Sequence, residues 1–240
     1  IDPHYVSKAR KFARVMLNKA LNENIYSKYN QLCFDEAFLP SAEQIGKRSL
    51  KNTLLSYLVL DKSNGLEIVY DQFQSATNMT DKTSALNLLI NHDEDDTYAS
   101  SALADFYYQY RNENLVVNLW LQLQATNQQP GGLSRVQSLM EHESFTIKNP
   151  NKVRSLIGSF ASTNHINFHD KLGTGYEFLG EQILKLNTLN PQVAARLVTP
   201  LTRWSDYEEP YANLMKKQLK VIKASPGLVS DVYEVVTKSL

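Results

Sequence analysis

The sequence is short of cysteine, glycine and proline, and it has no excess of either charge: one Cys, nine Gly and eight Pro, with 25 Lys+Arg against 25 Asp+Glu in 240 residues. Each shortage excludes something. A lone cysteine, Cys33, cannot close an internal disulfide. Its apolar neighbours predict a buried thiol, and the composition fits a reducing, cytoplasmic setting. A balanced charge gives no broad basic field, so neither nucleic acid nor a membrane surface is an expected partner. No apolar run approaches the ~18 residues that a membrane span requires. The opening Ile1-Asp2-Pro3 is neither a signal peptide nor a lipidation signal. It starts on a helix cap rather than on Met, as expected of an N-terminally truncated piece of a longer chain.

What is present is helix punctuation and helix periodicity. Asp2-Pro3 and Asn190-Pro191 each set a capping side chain before a proline at the first helical position. Ser41-Ala-Glu-Gln44 has the form of a capping box. Val153, Leu156, Ile157 and Phe160 recur at helical spacing. So do Val193, Leu197, Leu201 and Trp204, and Leu86, Leu89 and Ile90. Leu115, Leu119 and Leu123 form a further stripe. Leu54 to Leu60 could pass for a buried strand, but it continues the Ser41 helix without a breaker.

These signals predict about fourteen helices, at 3–21, 24–38, 41–61, 64–76, 81–91, 97–110, 113–127, 133–142, 150–162, 165–170, 175–189, 191–204, 208–224 and 229–239. Short links favour antiparallel neighbours, and many successive pairs favour a curved stack over a four-helix bundle. The expected fold is all-α: an irregular α-solenoid of antiparallel helix pairs, of ARM/HEAT type but without a fixed-period consensus. Gln128-Gln-Pro-Gly-Gly132 is the best internal break. It is taken as a loop within a single helical domain, 1–240.

The chemical inventory is thin. His165 and His169 would share a helical face, yet Ile166, Asn167 and Phe168 stand where a zincin has its glutamate, and no third ligand is obvious. Structural histidines are the better reading, so no metal and no cofactor are expected in this segment. His92-Asp-Glu-Asp-Asp96 lacks the spacing of a calcium loop and suits a solvated loop capping the next helix through Asp96 or Thr97. Gly173-Thr-Gly175 has no strand before it and reads as a turn between helices. Asn78-Met-Thr80 is a glycosylation sequon only in a secreted protein. Trp120 and Trp204 sit at packing positions. No nucleophilic triad or phosphate loop can be assembled, and no catalytic residue is expected.

One set of polar residues stands out. Gln192, Arg196 and Arg203 lie at i, i+4 and i+11 beside an apolar stripe, and Arg154 lies one residue off the core face of the 150–162 helix. Adjacent solenoid turns could bring the guanidiniums to one concave surface, where their planar forks suit a carboxylate or carbonyl. From spacing alone, an inter-helix salt bridge or a solvated face is the stronger alternative.

Several ordered segments resemble a known family. They are Ile1-Asp-Pro3, Lys47-Arg-Ser-Leu-Lys-Asn52, Gln72-Phe73 with Ala76 and Asn78-Met-Thr-Asp81, and Trp120 ahead of Leu123-Gln-Ala125. They continue with Asn149-Pro-Asn-Lys-Val-Arg-Ser-Leu-Ile-Gly158, Phe168-His169, Gly175-Tyr176, Asn190-Pro-Gln-Val-Ala-Ala-Arg-Leu197 and Asp231-Val-Tyr-Glu234. Together they resemble the C-terminal helical domain of aminopeptidase N, a bacterial alanyl aminopeptidase of the gluzincin class, over essentially the whole chain. The resemblance implies a hydrolase that removes N-terminal residues from peptides, with zinc and its ligands in a catalytic domain earlier in the same chain. This segment alone would be inactive. It would roof and gate the cleft, with the catalytic domain and peptide substrates as its partners. The resemblance also implies that Arg154 and Arg196, with Gln192 close by, face the cleft and contact bound peptide. Asn118 departs from the pattern, since the family commonly has lysine there. The rival expectation is a free-standing α-solenoid scaffold that binds a protein on its concave face.

Overall fold

The computed structural model describes residues 1–33 and 37–240. The chain forms two compact units, residues 8–110 and residues 111–240 together with 1–7. Among the described residues there are fifteen α-helices, one π turn, one 3-10 turn and no strand.

The 8–110 unit holds most of α1 (Pro3–Gln31), then α2 (Ala42–Leu58), α3 (Gly65–Ser75), α4 (Met79–His92) and α5 (Ala99–Tyr110). Helix α4 is central, packing against α2, α3 and α5. Leu55, Val69, Phe73, Leu86, Leu89 and Phe106 are among the buried apolar side chains of this unit. Helix starts are capped as the sequence predicts: the Ser41 hydroxyl accepts from Gln44 N–H at 3.3 Å. The Gln44 side chain reaches back further than a capping box requires, its oxygen accepting from Leu39 N–H at 2.8 Å. Asn78, in the sequon, spends its side-chain oxygen on Asp81 N–H.

In the acidic run the deeper cap is Asp93, not Asp96 or Thr97. The buried Asp93 carboxylate accepts from the N–H groups of Thr97, Tyr98 and Ala99, satisfying free donors at the start of α5. Asp96, at φ 53°, accepts from Ser100 N–H.

The second unit contains α6 (Asn114–Ala125), α7 (Gly132–Met140), α8 (Pro150–Val153), a π turn (Arg154–Gly158), α9 (Ser159–Thr163) and α10 (His165–Phe168). It continues with α11 (Thr174–Leu189), α12 (Pro191–Leu197), α13 (Thr199–Thr202), a 3-10 turn (Trp204–Asp206), α14 (Tyr211–Ala224) and α15 (Ser230–Ser239). Helix α6 packs on the π turn, α7 and α9; α11 packs on α12 and α14; α15 packs on α12 and α14. Packing mainly between helices close in sequence is solenoid-like organisation. Gln128–Gly132 is the loop into α7. Gly173 ends the turn between α10 and α11 at φ +77°, while Thr174 and Gly175 already lie in α11, where a Cβ on Gly175 would lie 2.4 Å from Phe168 O.

Several other expectations change. The break expected at residues 22–23 does not occur, because α1 runs from Pro3 to Gln31. Asn22 is turned away from the backbone, donating to Asp61 Oδ2 at 3.1 Å, so it does not compete for helix N–H groups. The tail of the 24–38 helix falls partly on residues 34–36, which lie outside the described residues. Cys33 is exposed, not buried, because the helix stops at Gln31 and does not carry the face of Ile25 and Tyr29 onward to it.

The Leu115, Leu119, Leu123 stripe is not the core face of α6: Leu115 is 81% exposed. Steps of four drift by about 40° each on a helix of 3.6 residues per turn. Val117, Trp120, Leu121 and Gln124 take buried positions, joined from the stripe by Leu123. The 191–204 helix is interrupted at Val198, after which the short α13 begins at Thr199 with Pro200, lacking an N–H, in its first turn. Trp204 therefore leaves the helical stripe and is only half-buried, its indole N–H donating to Ser239 O at 2.8 Å.

Candidate functional site

The two singled-out arginines come from two differently built segments of the 111–240 unit. Asn149 caps the first, its side-chain oxygen accepting from Asn151 N–H at 2.9 Å, with Pro150 behind it. After one turn the chain widens: Ser159 N–H donates to Arg154 O, the i to i−5 bond of a π turn. The Ser159 hydroxyl donates to the same carbonyl at 3.2 Å. The widened turn keeps Val153, Leu156, Ile157 and Phe160 fully buried while Arg154 stays exposed. The second segment starts at Asn190, whose side chain caps Val193 N–H at 3.2 Å. It ends one residue after Arg196, and Val193, Ala194 and Leu197 form its buried side.

Between them lies a groove of about 300 Å³. Arg154, Ser159 and Thr163 contribute to one wall, and Val193, Arg196 and Pro200 to the other. Gly158 faces Leu197 across its floor, where a Cβ would sit 3.7 Å from Leu197 Cδ2. No carboxylate lines the groove, so the two guanidiniums are not joined by an acid within it. Arg154 donates to Asn151 Oδ1. Arg203 is elsewhere, its Nε 2.9 Å from Asp206 Oδ2. Gln192 is exposed and does not line the groove. Spacing could not reveal the hydroxyls of Ser159 and Thr163, because they enter through the π turn.

A larger opening of about 460 Å³ belongs to the 8–110 unit, with Tyr29, Lys51, Gln72 and Asp81 on its walls. These groups are already committed to one another. Lys51 pairs with Asp81, and Tyr29 Oη donates to Gln72 Oε1 at 3.0 Å. Burial holds the Tyr29 phenol far above its usual range, so it stays neutral. These four groups are therefore spent on one another.

His165 and His169 do share a face, with rings stacked at 6.0 Å. His169 is buried, and its Nδ1 lies 2.7 Å from Tyr176 Oη. Desolvation, reinforced by His165 and His4, pushes its pKa down to about 3. It is a neutral core histidine. Among the described residues no three His, Cys, Asp or Glu side chains converge as a metal site would require. Asn118 leaves its Oδ1 buried with no hydrogen-bond partner.

Comparison with known proteins agrees with the resemblance read from the sequence. The chain is 35% identical over its whole length to aminopeptidase N of Haemophilus influenzae and 34% identical to aminopeptidase N of Escherichia coli, covering 27% of each. It is 33% identical to aminopeptidase N of Caulobacter vibrioides, covering 28% of that protein. It thus spans about a quarter of the length of these relatives. The crystal structure of Legionella pneumophila aminopeptidase A in complex with aspartic acid superposes with a TM-score of 0.88 at 30% identity, over 97% of this chain and 28% of that one. The model of the domain of unknown function DUF3458_C, ARM repeats, matches residues 1–240. The chain belongs to that family of all-α ARM-repeat domains.

Proposed function

We propose that this chain is one domain of a larger zinc-dependent aminopeptidase, a cytoplasmic hydrolase that removes N-terminal residues from peptides. Its own role is to roof the active-site cleft, limit access to open peptide ends, and hold substrate at the Arg154–Arg196 groove. The observation that carries the reading is the match to aminopeptidase N from end to end, at about a third identity. The groove supports the finer part. Two guanidiniums beside hydroxyl groups, with no lining acid, suit a peptide carbonyl or terminal carboxylate, which a guanidinium can bind through two parallel N–H donors. Gln192, outside the groove, would contact only a longer peptide.

These residues do not themselves fit a zinc site, since the described residues bring no three ligands together and His169 is spent on Tyr176. The metal, which would activate water, belongs to residues outside this chain. The test is a peptidase assay on the intact polypeptide that carries this chain. It should release N-terminal residues from di- and tripeptides, lose activity to a chelator and regain it with zinc. These 240 residues alone should release none. Failure of the intact polypeptide to hydrolyse any peptide would leave the free-standing scaffold as the better account.

A further inference from the structure

Helix α1 has two apolar faces, and only one is used. Within the 8–110 unit its inner side buries Asn18, Ile25 and Tyr29. On the opposite side Ala9, Phe12, Ala13, Met16, Leu17 and Ala20 follow one another at i, i+3, i+4, i+7, i+8 and i+11, a single helical stripe. All six are exposed, Phe12 at 68%, Met16 at 49% and Leu17 at 47%. The stripe runs for about 16 Å along the helix. A continuous apolar band of this kind on a soluble domain marks a contact surface.

The flanks say what fits it. Between Pro3 and Gln31 there are six Lys or Arg and a single acid, Glu23, in a chain whose total charge is zero. On the helix, Lys19 borders one edge of the stripe and Arg10 the other. A second copy would bring these positive edges against each other, which opposes self-pairing. The alanines at 9, 13 and 20 alternate with Phe12 and Met16, leaving shallow places into which the ridges of another helix can fit. The same alanines reduce the apolar area with which lipid binding would scale, so they favour a packed helix over a lipid surface. Relatives of this chain are almost four times its length, so ample polypeptide outside these residues exists in them to supply the partner.

We propose that the outer face of α1 seats an amphipathic helix with acidic flanks from the same polypeptide, outside these 240 residues. This rests on the reading of the chain as one domain of a longer enzyme. With α1 held on both sides, the helix becomes an internal layer of the stack, and the 8–110 unit is fixed to the rest of the polypeptide through it.

The test uses the intact polypeptide with Ala13→Cys in a Cys33→Ser background, reading maleimide addition at position 13 by peptide mass spectrometry. Labelling in the native state should be slower than in urea by on the order of 100-fold. Arg10→Glu with Lys19→Glu should raise the native rate by about 10-fold, as the acidic flanks lose their partners. Native labelling close to the urea rate would overturn the proposal. So would protection that grows with protein concentration, which indicates a second copy, or protection that appears only with phosphatidylserine vesicles. No response to charge reversal would overturn the acidic flanks. Peptide hydrolysis is measured on the same preparation. Protection without hydrolysis sinks the aminopeptidase reading alone, and hydrolysis without protection sinks the docking alone.

Discussion

His169 Nδ1 lies 2.7 Å from Tyr176 Oη inside the second unit, where burial keeps His169 a neutral core residue. Tyr207 stacks against the His169 ring at 4.5 Å, and the His4 Nε2 atom lies 2.8 Å from His169 O. Burial holds the Tyr176 phenol well above its usual range, so it stays neutral beside the ring.

The burial of His169 has a consequence for acid stability. The folded pKa of about 3 lies below the ordinary histidine value of 6.5, so between these values the unfolded chain binds a proton that the folded chain refuses. Stability from this residue is therefore complete above pH 6.5 and is lost as pH falls toward 3, at about 1.4 kcal/mol per pH unit. His92 acts in the same direction, lowered to about 4 by desolvation first and then by Arg14 and Lys11. Urea unfolding from pH 7 to pH 4 should show His169→Asn less stable than wild type at pH 7, with the pH slope reduced by about one proton. An unchanged slope would mean that His169 is protonated in the folded state.

A second polar centre lies in the 8–110 unit. Asp81 pairs with Lys51 and accepts from Asn52 Nδ2 at 2.8 Å and Asn78 Nδ2 at 3.0 Å, while Gln72 bridges to Asn52. The Asp81 side chain is 5% exposed and that of Lys51 15%. Lys51→Met should cost ~3–5 kcal/mol in unfolding free energy, because it strands a buried carboxylate. Asp81→Asn should cost less, since the freed ammonium can turn to water. The double variant should cost less than the sum of the singles. Additive losses would show that the pair does not act as a unit.

The sequence showed where helices begin more clearly than where they stop. Asn149, Asn190 and Ser41 each cap a backbone N–H, and the Val153, Leu156, Ile157, Phe160 face is wholly buried. Such features depend on residues within a few positions of each other. The interruption at Val198 is also written locally, in Pro200, against an apolar spacing that continues to Trp204. Asp93 as the cap of α5 was harder to see, because its carboxylate reaches residues four to six positions ahead. The groove was legible only through its arginines. Its hydroxyl wall depends on the π turn at Arg154–Gly158, for which no single residue type is a signal.

The groove is also where the functional account can be tested most directly. In the intact enzyme, kcat/KM should be measured for a tripeptide and for a small aminoacyl arylamide, in wild type, Arg196→Ala and Arg196→Lys. A charge-assisted hydrogen bond contributes ~1.5–3 kcal/mol, so Arg196→Ala should lower the tripeptide value by about 10-fold or more. The arylamide, which ends near the scissile bond, should be nearly unaffected. Arg196→Lys should recover only part of the loss, keeping the charge without the planar fork. Equal losses for both substrates would mean that the change disturbs packing alone, and no loss for either would contradict a substrate grip at Arg196.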